Sequence, residues 1–404
     1  PSRLHPGSFY ALPQSPQIYK QLLMVAGLER YYQIARCFRD EDLRSDRQPD
    51  FTQIDIESSF LSYDEFITMM EQLLAKVFKE VVDYDLKLPL TRLTYQAAME
   101  KYGSDKPDTR FELNIQNLDF LHQKVELFVR SQFVRAIIVP NASDKLSRKQ
   151  LDELNLEAKK FGMNSVANLK YTAEGLLGSL SSKLDDQQKQ DIVKLLDLKI
   201  NDLVIIAFGD DKNRVLSLLG SLRVNMAKRF NLIDNNRYEV LWVEKFPLFS
   251  YDKDNNRYVS EHHPFTMPLV EHLELLDTNP GQVLSQAYDI VINGYEAGGG
   301  SMRIYDQELQ HKIFALLGMS EDEIKAKFGF FIEALEYGTP PHGGIAFGLD
   351  RLTMILSGTD NIRDVIAFPK NLSGVSLMSE EPNTVSPQQL DELHIKITKG
   401  DNNE

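Results

Sequence analysis

The first residues of the chain alternate between helical and strand-like spacing of apolar positions. The stretch QSPQIYKQLLMVAG predicts a helix that ends at Gly27. YYQIARCFR and FTQIDIESSF have the composition of strands, and the polar residues 40–50 between them predict a hairpin with a long loop. Ser62 and Glu65 form a capping box, which predicts an amphipathic helix through about Tyr84.

Farther along, the hydrophobic pattern changes in character. The compact apolar runs FVRAIIVP and DLVIIAFGD alternate with the charged helical stretches SRKQLDELNLEAKKFG and DQQKQDIVKLLDL, and no cluster of candidate catalytic residues occurs among them. This pattern predicts an α+β domain inserted into a core of mixed helices and strands. The predicted parts are the core at 1–108 and 241–397, the insert at 109–240, and a polar tail at 398–404.

Period-two alternation in the predicted hairpin puts small residues on one face of its first strand and polar residues on one face of its second. A solvated antiparallel strand is the alternative, but such a strand more often carries Lys and Thr on its wet face. We therefore interpret the polar row as a binding face. The expected faces are Ala35, Cys37 and Arg39 on the first strand and Gln53, Asp55 and Glu57 on the second, with Ile54, Ile56 and Phe60 filling the opposite side.

A second candidate site lies in YDIVINGYEAGGGSMR, where Asn293 and Gly294 predict a two-residue type I′ hairpin turn. The resulting register makes Asp289 and Glu296 diagonal neighbours, roughly 7–8 Å apart at Cα. Two carboxylates at that separation suit a Mg²⁺ ion that also contacts substrate phosphates. The alternative is a glycine-rich bulge with a surface ion pair. Arg303 projects beyond the glycines.

A third candidate site lies in HGGIAFGLDRLTMILSG, which predicts a strand, a turn at Gly348, and a helix that ends near Gly358. Arg351 falls in the first turn of this helix, where a cation opposes the helix dipole and so favours a nearby anion. Pairing of Arg351 with a neighbouring acid such as Asp350 is the alternative to a bound anion.

Composition narrows the classes of protein. The 404 residues are enough for about two or three domains. The net charge of −14 argues against a surface that binds nucleic acid everywhere. Cys37 is the single cysteine and is expected to be a small buried side chain, so a disulfide framework and a thiolate zinc site are excluded and a reducing compartment is favoured. The sequence contains neither an apolar run of membrane-spanning length nor a GxxxxGKS/T phosphate loop.

Taken together, these motifs resemble those of a known enzyme family. FRDEDLRSDRQPDFTQIDIE resembles motif 2 of class II aminoacyl-tRNA synthetases, and GGIAFGLDRLTMIL resembles their motif 3. ALPQSPQIYKQ, HHPFT, NGYEAGGGSMRI and GTDNIRDVIAFPK are similar to the bacterial-type aspartyl-tRNA synthetases in particular. The resemblance covers nearly the whole chain and implies an α+β fold, with an antiparallel class II sheet flanked by helices and an inserted GAD-like domain. Motif 1 and the N-terminal anticodon-binding domain have no counterpart, so the sequence is expected to be a fragment.

The resemblance implies a ligase that activates L-aspartate with ATP and Mg²⁺ and transfers it to the 3′ end of tRNA(Asp). Charging of tRNA(Asn) stays open. The full-length protein is expected to be a homodimer in the bacterial cytoplasm, with a mitochondrial location as the alternative. An ammonia-using asparagine synthetase on the same core is one rival function. A non-catalytic paralogue is another, although Arg39, Glu296 and Arg351, the expected catalytic residues, are all present.

The resemblance also implies roles for single residues. Arg39 is expected on the ATP α-phosphate, Phe51 beneath adenine, and Arg351 above it and reaching the γ-phosphate. Asp55 is expected to orient Lys20. The implied ATP-binding residues are Arg39, Asp40, Glu41, Gln48, Phe51, Glu296, Gly348, Leu349, Asp350 and Arg351. The implied aspartate-binding residues are Ser15, Gln17, Lys20, Arg39, Gln53, Asp55, His262, His263 and Arg303, and the metal-binding residues are Asp289 and Glu296.

Overall fold

The computed structural model describes residues 1–122 and 124–398 and divides the chain into two compact units. The first unit contains Pro1–Pro89, Tyr251–Met267 and the described residues from Ala297 onward, and the second contains Leu90–Ser250 and Pro268–Glu296. The predicted insert at 109–240 lies within the second unit, which also includes residues on either side of it. All but the first residue of the predicted tail at 398–404 lies outside the described residues.

Helices and strands are mixed along the chain, in agreement with the predicted α+β class. The strands are β1 (Arg30–Phe38), β2 (Asp50–Ser59), β3 (Thr91–Thr94), β4 (Gln116–Asn117), β5 (Phe133–Val139), β6 (Ala167–Thr172), β7 (Gly175–Leu177), β8 (Leu203–Gly209), β9 (Val240–Glu244), β10 (Phe249–Asp252), β11 (Arg257–Ser260), β12 (Ala287–Ile292), β13 (Tyr295–Met302) and β14 (His342–Gly348). The helices are α1 (Gln17–Val25), α2 (Tyr63–Val82), α3 (Tyr95–Tyr102), α4 (Arg148–Lys160), α5 (Asp186–Leu195), α6 (Lys212–Arg229), α7 (Leu275–Thr278), α8 (Gln307–Leu316), α9 (Glu321–Leu335), α10 (Leu349–Leu356) and α11 (Pro387–Glu392).

In the first unit, β1, β2, β14 and β13 lie side by side, and each neighbouring pair is antiparallel. The predicted hairpin of β1 and β2 is confirmed, with Ala35 opposite Gln53. The polar row is buried, because Gln53, Asp55 and Glu57 are 7%, 1% and 0% exposed. The prediction for Phe60 was wrong: its side chain is 65% exposed, because the backbone turns to a φ of 61° there and leaves the strand.

Helix α1 explains how polar side chains come to lie beneath this sheet. Ile18 and Leu22 pack against an aromatic cluster that includes Phe265, Phe314 and Phe331, so the apolar side of the helix is covered. Lys20 and Gln21, on another side of α1, are buried, and they form hydrogen bonds to residues of β2 and β14. The predicted capping box at the start of α2 is present, with Ser62 accepting from the backbone of Glu65 and the Glu65 side chain accepting in return.

In the second unit, a five-stranded antiparallel sheet has the order β4-β5-β8-β6-β7. Its central strand β8 is apolar on both sides: Ile205 belongs to one hydrophobic cluster and Ile206 to another. This is why the predicted strands of this segment read as continuous apolar runs. Three further strands of the unit are adjacent, β3 parallel to β9 and β12 antiparallel to β9.

The turn that precedes β13 has the predicted geometry. Asn293 and Gly294 have φ values of 53° and 85°, as a type I′ turn requires. The side chain of Asn293 accepts a hydrogen bond from the backbone N–H of Glu239 at 2.8 Å, which holds the turn against the start of β9. Asp289 and Glu296 therefore lie on the strands that flank a well-defined turn.

Candidate active site

A buried group of two cations and two carboxylates lies in the first unit. The Lys20 ammonium is 2.9 Å from Asp55 Oδ1 and 3.1 Å from Glu57 Oε2. The Arg303 guanidinium donates to both oxygens of Glu57, from Nε at 3.0 Å and from Nη2 at 3.2 Å. Each of the four side chains is 2% exposed or less. The predicted contact between Asp55 and Lys20 is present, and two positive charges face two negative ones.

Glu57 was not among the residues expected to bind substrate, yet it joins the two cations. Its carboxylate fits because Gly344 lies opposite it in β14. A Cβ on Gly344 would lie 1.7 Å from Glu57 Oε2 and 2.4 Å from the carbonyl oxygen of Ile56, so only glycine leaves room there. The adjacent glycines of the third motif were a usable signal that a side chain from the neighbouring strand crosses above them.

The two carboxylates of this group differ in pKa. Burial raises the pKa of Asp55, and Lys20 offsets only part of that effect. Burial alone would also raise the pKa of Glu57, but the charges of Arg303 and Lys20 outweigh it and lower the pKa to about 2. Glu57 is therefore the firmly ionised carboxylate of the pair.

Arg303 is held on a second side by His263 and Ser301. Its Nη1 lies 2.7 Å from Nε2 of His263 and 2.6 Å from the hydroxyl of Ser301. A guanidinium only donates, so Nε2 of His263 accepts. Burial and the charge of Arg303 lower the pKa of His263 well below its ordinary value, which keeps this ring neutral. The edge of Arg303 that is formed by Nε and Nη2 is directed at Glu57.

The other residues expected to bind aspartate belong to the same unit. Ser15 is partly exposed just before α1, and Gln17 is the first residue of that helix. The thiol of Cys37 lies 3.3 Å from Oε1 of Gln53, as a donor to it. Burial raises the pKa of Cys37, so the thiol keeps its proton, and the amide hydrogens of Gln53 are turned away from it. His262 is exposed on the loop before His263.

Arg39 lies over the ring that was expected to support adenine. Its guanidinium carbon is 5.1 Å from the centroid of Phe51. Its backbone N–H donates to the carbonyl of Pro49 at 2.8 Å and its Nε donates to the carbonyl of Gln14 at 3.3 Å. Arg39 is otherwise exposed, so its cation is open to a ligand, whereas Phe51 is half-buried and one side of its ring faces Arg39.

Arg351 and Asp350, at the start of α10, both contact the hairpin but do not pair with each other. Arg351 Nη2 donates to the carbonyl of Asp46 at 3.1 Å and to its side chain at 3.3 Å. The side chain of Asp350 accepts from the backbone N–H of Thr52 at 2.7 Å. The alternative to a bound anion, an Arg351 paired with a neighbouring acid, is therefore present, with Asp46 as the acid instead of Asp350. Gly348 ends β14 and Leu349 begins α10 at once, which brings both charged residues close to the β1–β2 loop.

The β1–β2 loop is fastened to a later segment by Gln48. This side chain is 3% exposed, accepts from the backbone N–H of Lys370 at 2.7 Å and donates to the carbonyl of Lys370 at 3.0 Å. The Lys370 ammonium also lies 3.2 Å from Asp50. Contact of Gln48 with adenosine stays a prediction, because this amide is already used to position the loop. Within the loop, Glu41 pairs with Arg47 at 2.7 Å, and Asp40 is exposed.

The predicted metal ligands belong to the second unit. Asp289 is buried, whereas the side chain of Glu296 is 37% exposed and its Oε2 lies 3.6 Å from the Lys106 ammonium. Burial would lower the pKa of Lys106, but Asp105, Glu296 and Asp289 outweigh it and the pKa is raised. The carboxylate pair thus attracts a cation, as a Mg²⁺ site must. Lys106 was missed because its segment carried no recognisable catalytic pattern.

Among residues 1–122 and 124–398, three or more His, Cys, Asp or Glu side chains nowhere converge as a metal-binding group. Mg²⁺ at nucleotide sites is commonly held by one or two carboxylates together with substrate phosphates. Asp289 and Glu296 therefore fit that ion. In the same part of the chain, no helix is both long enough and apolar enough to cross a membrane.

Comparison with known proteins agrees with the sequence motifs and the fold. A family model described as tRNA synthetases class II (D, K and N) matches residues 1–372, and the chain belongs to this family. It is 50% identical to the aspartate–tRNA(Asp/Asn) ligase of Geobacillus sp. strain WCH70, over 98% of the chain and 68% of that protein. The protein of the same name from Caldanaerobacter subterraneus subsp. tengcongensis is 52% identical, with the same coverage. The Bacillus subtilis strain 168 protein of that name is 50% identical, over 99% of the chain and 68% of that protein.

Proposed function

We propose that this protein is an ATP-dependent aspartate–tRNA ligase, which forms aspartyl-adenylate and transfers aspartate to the 3′ end of tRNA. The observation that carries the proposal is the buried group of Lys20, Arg303, Asp55 and Glu57 beside the polar row of β2. Identity of about half the residues with ligases named for aspartate supports the same reaction.

The pocket of the first unit suits an amino acid with a second carboxylate. Lys20 and Arg303 bind the side-chain carboxylate of aspartate, whose charge they neutralise. The amide hydrogens of Gln53 are available to the α-carboxylate, because its oxygen is turned toward Cys37. Ser15 and Gln17 lie at the start of α1 and receive the ammonium group.

The adenylation step needs charge neutralisation more than proton transfer. The nucleophile is the α-carboxylate of aspartate, which is ionised at neutral pH, so a general base is not required. Arg39 binds the α-phosphate and stabilises the negative charge that grows there as the carboxylate attacks and pyrophosphate leaves. Phe51 supports adenine, and Arg351 binds on its other side and reaches the γ-phosphate.

Asp289 and Glu296 hold the Mg²⁺ that accompanies ATP. When bound, Mg²⁺ neutralises phosphate charge and orients the leaving pyrophosphate. Lys106 holds Glu296 until the ion arrives, since its ammonium lies 3.6 Å from that carboxylate.

The tRNA partners are tRNA(Asp) and, as an open alternative, tRNA(Asn). The names of the relatives cover both tRNAs for those proteins. The full-length enzyme is proposed to be a homodimer of the bacterial cytoplasm. An asparagine synthetase on the same core would use ammonia in place of tRNA, and product analysis separates the two reactions.

The test is aspartate-dependent exchange of pyrophosphate into ATP, followed by transfer to tRNA(Asp). Wild-type protein should exchange, and Glu296→Ala and Arg39→Ala should each lose about 100-fold or more, the usual cost of removing a group that stabilises transition-state charge. Glu174→Ala removes an exposed carboxylate of the second unit and serves as the control. Normal exchange by a folded Glu296→Ala variant would contradict the metal assignment. Free asparagine formed from aspartate and ammonia, without aspartyl-tRNA, would favour the synthetase.

A further inference from the structure

A chain of buried amides and one imidazole runs from the start of α1 to the start of β14. Gln17 Nε2 lies 2.8 Å from Gln21 Oε1, and Gln21 Nε2 lies 3.3 Å from Nε2 of His342. The other ring nitrogen of His342, Nδ1, lies 2.8 Å from the carbonyl oxygen of Pro340. Gln21 is 0% exposed and His342 1%, so water does not compete for these contacts.

The carbonyl of Pro340 determines which atoms donate and which accept in this series of hydrogen bonds. A carbonyl oxygen only accepts, so Nδ1 of His342 carries a hydrogen. Burial lowers the pKa of His342, an effect that Glu57 opposes and Arg303 and Lys20 reinforce, so the ring is neutral at pH 7 and its Nε2 accepts. Gln21 must then direct its NH₂ at His342 and its oxygen at Gln17.

The same reasoning determines the amide orientation of Gln17. Because Gln21 offers an oxygen, Gln17 must donate one hydrogen of its NH₂ to it, which sets which end of the Gln17 amide is oxygen. Of the three side chains, Gln17 is half-buried and the other two are buried, so the amide oxygen of Gln17 is the one that remains available to a ligand. An ammonium group carries only donors, so it needs an oxygen there and is repelled by an NH₂ group.

We propose that His342 and Gln21 are positioning residues that fix the amide orientation of Gln17, so that Gln17 presents its oxygen to the ammonium of the amino-acid substrate. This inference rests on the proposed function. Neither positioning residue touches the substrate. Their effect is to exclude the flipped amide, which would present NH₂ to the ammonium and bind the substrate less tightly.

A second ligand, L-malate, distinguishes this positioning role from a purely structural role of the same hydrogen bonds. L-malate has a hydroxyl in place of the ammonium, and a hydroxyl can accept as well as donate. Its binding should therefore depend little on which end of Gln17 faces it. General loosening of the pocket would instead weaken aspartate and malate alike.

The experiment compares Gln21→Met with wild type in aspartate-dependent pyrophosphate exchange, with L-malate as a competitive inhibitor. The aspartate KM should rise about tenfold, the order expected for a hydrogen bond to a charged group, while the malate Ki changes less than twofold and the ATP KM is unchanged. Gln310→Met is the matched control. Gln310 is equally buried in the same unit and donates to the carbonyl of Pro264 at 2.8 Å, so its loss should leave the aspartate-to-malate ratio at the wild-type value.

Two further comparisons test the coupling. In a Gln17→Met background, adding Gln21→Met should change the aspartate KM by less than twofold, because the amide to be oriented is gone. At the other end of the chain, His342→Gln retains an acceptor for Gln21 and should keep more of the wild-type ratio than His342→Leu. This pair also serves if Gln21→Met does not fold.

Equal weakening of aspartate and malate in Gln21→Met, or an unchanged ratio in both Gln21→Met and His342→Leu, would overturn the positioning role. Absence of aspartate activation by the wild-type protein would instead reject the proposed function.

Discussion

At the scale of single residues, the pocket of the first unit is electrically balanced before any substrate binds. Two cations and two carboxylates make up the group, and His263 is kept neutral beside Arg303. A substrate carboxylate is therefore stabilised against cations that already have anionic partners. Under the proposed function, we expect specificity for aspartate to depend on the positive charge of Arg303 and Lys20.

Replacing Arg303 with leucine tests this dependence. Arg303→Leu should raise the aspartate KM by about 100-fold or more, since a buried charge left unpaired costs several kcal/mol, while the ATP KM changes little. The wild-type preference for aspartate over asparagine, roughly a thousandfold or more, should shrink because the cation that disfavours the amide is gone. Adenylation kinetics with both amino acids provide the measurement. An unchanged aspartate/asparagine ratio would place the specificity residue elsewhere.

Glu57 gives a second prediction, on stability. Its pKa is about 2 in the folded protein and about 4.5 ordinarily, so its ionised form stabilises the fold above pH 4.5, and that contribution is lost as the pH falls toward 2. Glu57→Gln should destabilise the first unit by roughly 3–5 kcal/mol at pH 7, because Arg303 and Lys20 lose a buried partner.

The difference in free energy of unfolding between wild type and Glu57→Gln should shrink between pH 4.5 and 2, because only wild type has this carboxylate to protonate. Urea unfolding followed by circular dichroism at pH 7, 4 and 3 measures it. A constant difference across this range would mean that Glu57 is not the ionised member of the group.

At the scale of elements, two of the three glycines of β14 have contrasting surroundings, which offers a matched pair of variants. Gly344→Ala should prevent normal packing of β14 on β2, because the new Cβ would lie 1.7 Å from Glu57 and 2.4 Å from a backbone oxygen. Gly348→Ala should be tolerated within about 1 kcal/mol, since the nearest atoms to its Cβ are at ordinary contact distances of 3.5 and 4.0 Å. Thermal unfolding of both variants is the measurement, and equal losses would contradict the close approach of Glu57 to Gly344.

Helix caps, turns and strand faces were largely predictable from the sequence, because residues close together in the chain determine them. The capping box at Ser62, the turn at Asn293 and Gly294, and the polar face of β2 all follow from spacing and turn chemistry, and the structure contains each of them. Exposure of Phe60 was not predictable by alternation, since a left-handed residue interrupts the period at that point.

The connections between distant elements were the part that the sequence did not supply. Glu57 was recognised as part of a polar face, but its role depends on Gly344 in β14 and on Arg303, the residue that follows β13. Gln48 is predicted to contact ATP, and the hydrogen bonds of its amide to the backbone of Lys370 were not predicted. No local pattern marks such partners, because side-chain contacts across a sheet or a loop leave no periodicity in either segment.

At the scale of the whole molecule, two units in a chain of 404 residues argue against a single cooperative unfolding transition. The only tryptophan of the sequence, Trp242, lies buried in β9 of the second unit, so its fluorescence reports on that unit. Arg223 stabilises the same unit. Its guanidinium donates to three carbonyls, lies 4.1 Å from the ring centroid of Phe111, and stays charged at pH 7, although burial lowers its pKa to about 10.

Two variants should therefore affect different probes. Arg223→Met should lower the urea midpoint seen by tryptophan fluorescence, because the carbonyls of Asp108 and Phe111 lose a buried donor. Glu57→Gln should lower the urea midpoint seen by circular dichroism, which reports on both units, and leave the fluorescence midpoint closer to wild type. Parallel urea titrations of both variants and wild type are the measurement. Coincident midpoints for the two probes in all three proteins would mean that the chain unfolds as one body.

The ion pair between Glu57 and Arg303 also has a consequence for how the protein is made. The two residues are 246 positions apart, so at roughly 5–20 residues per second a ribosome takes roughly 10–50 seconds to travel from one to the other. Lys20 is already present during that interval, but the guanidinium that completes the group is not. We therefore expect the β1–β2 hairpin to leave the ribosome with its charged side chains still hydrated. A nascent chain halted before Arg303 should bind no aspartate, whatever the incubation time.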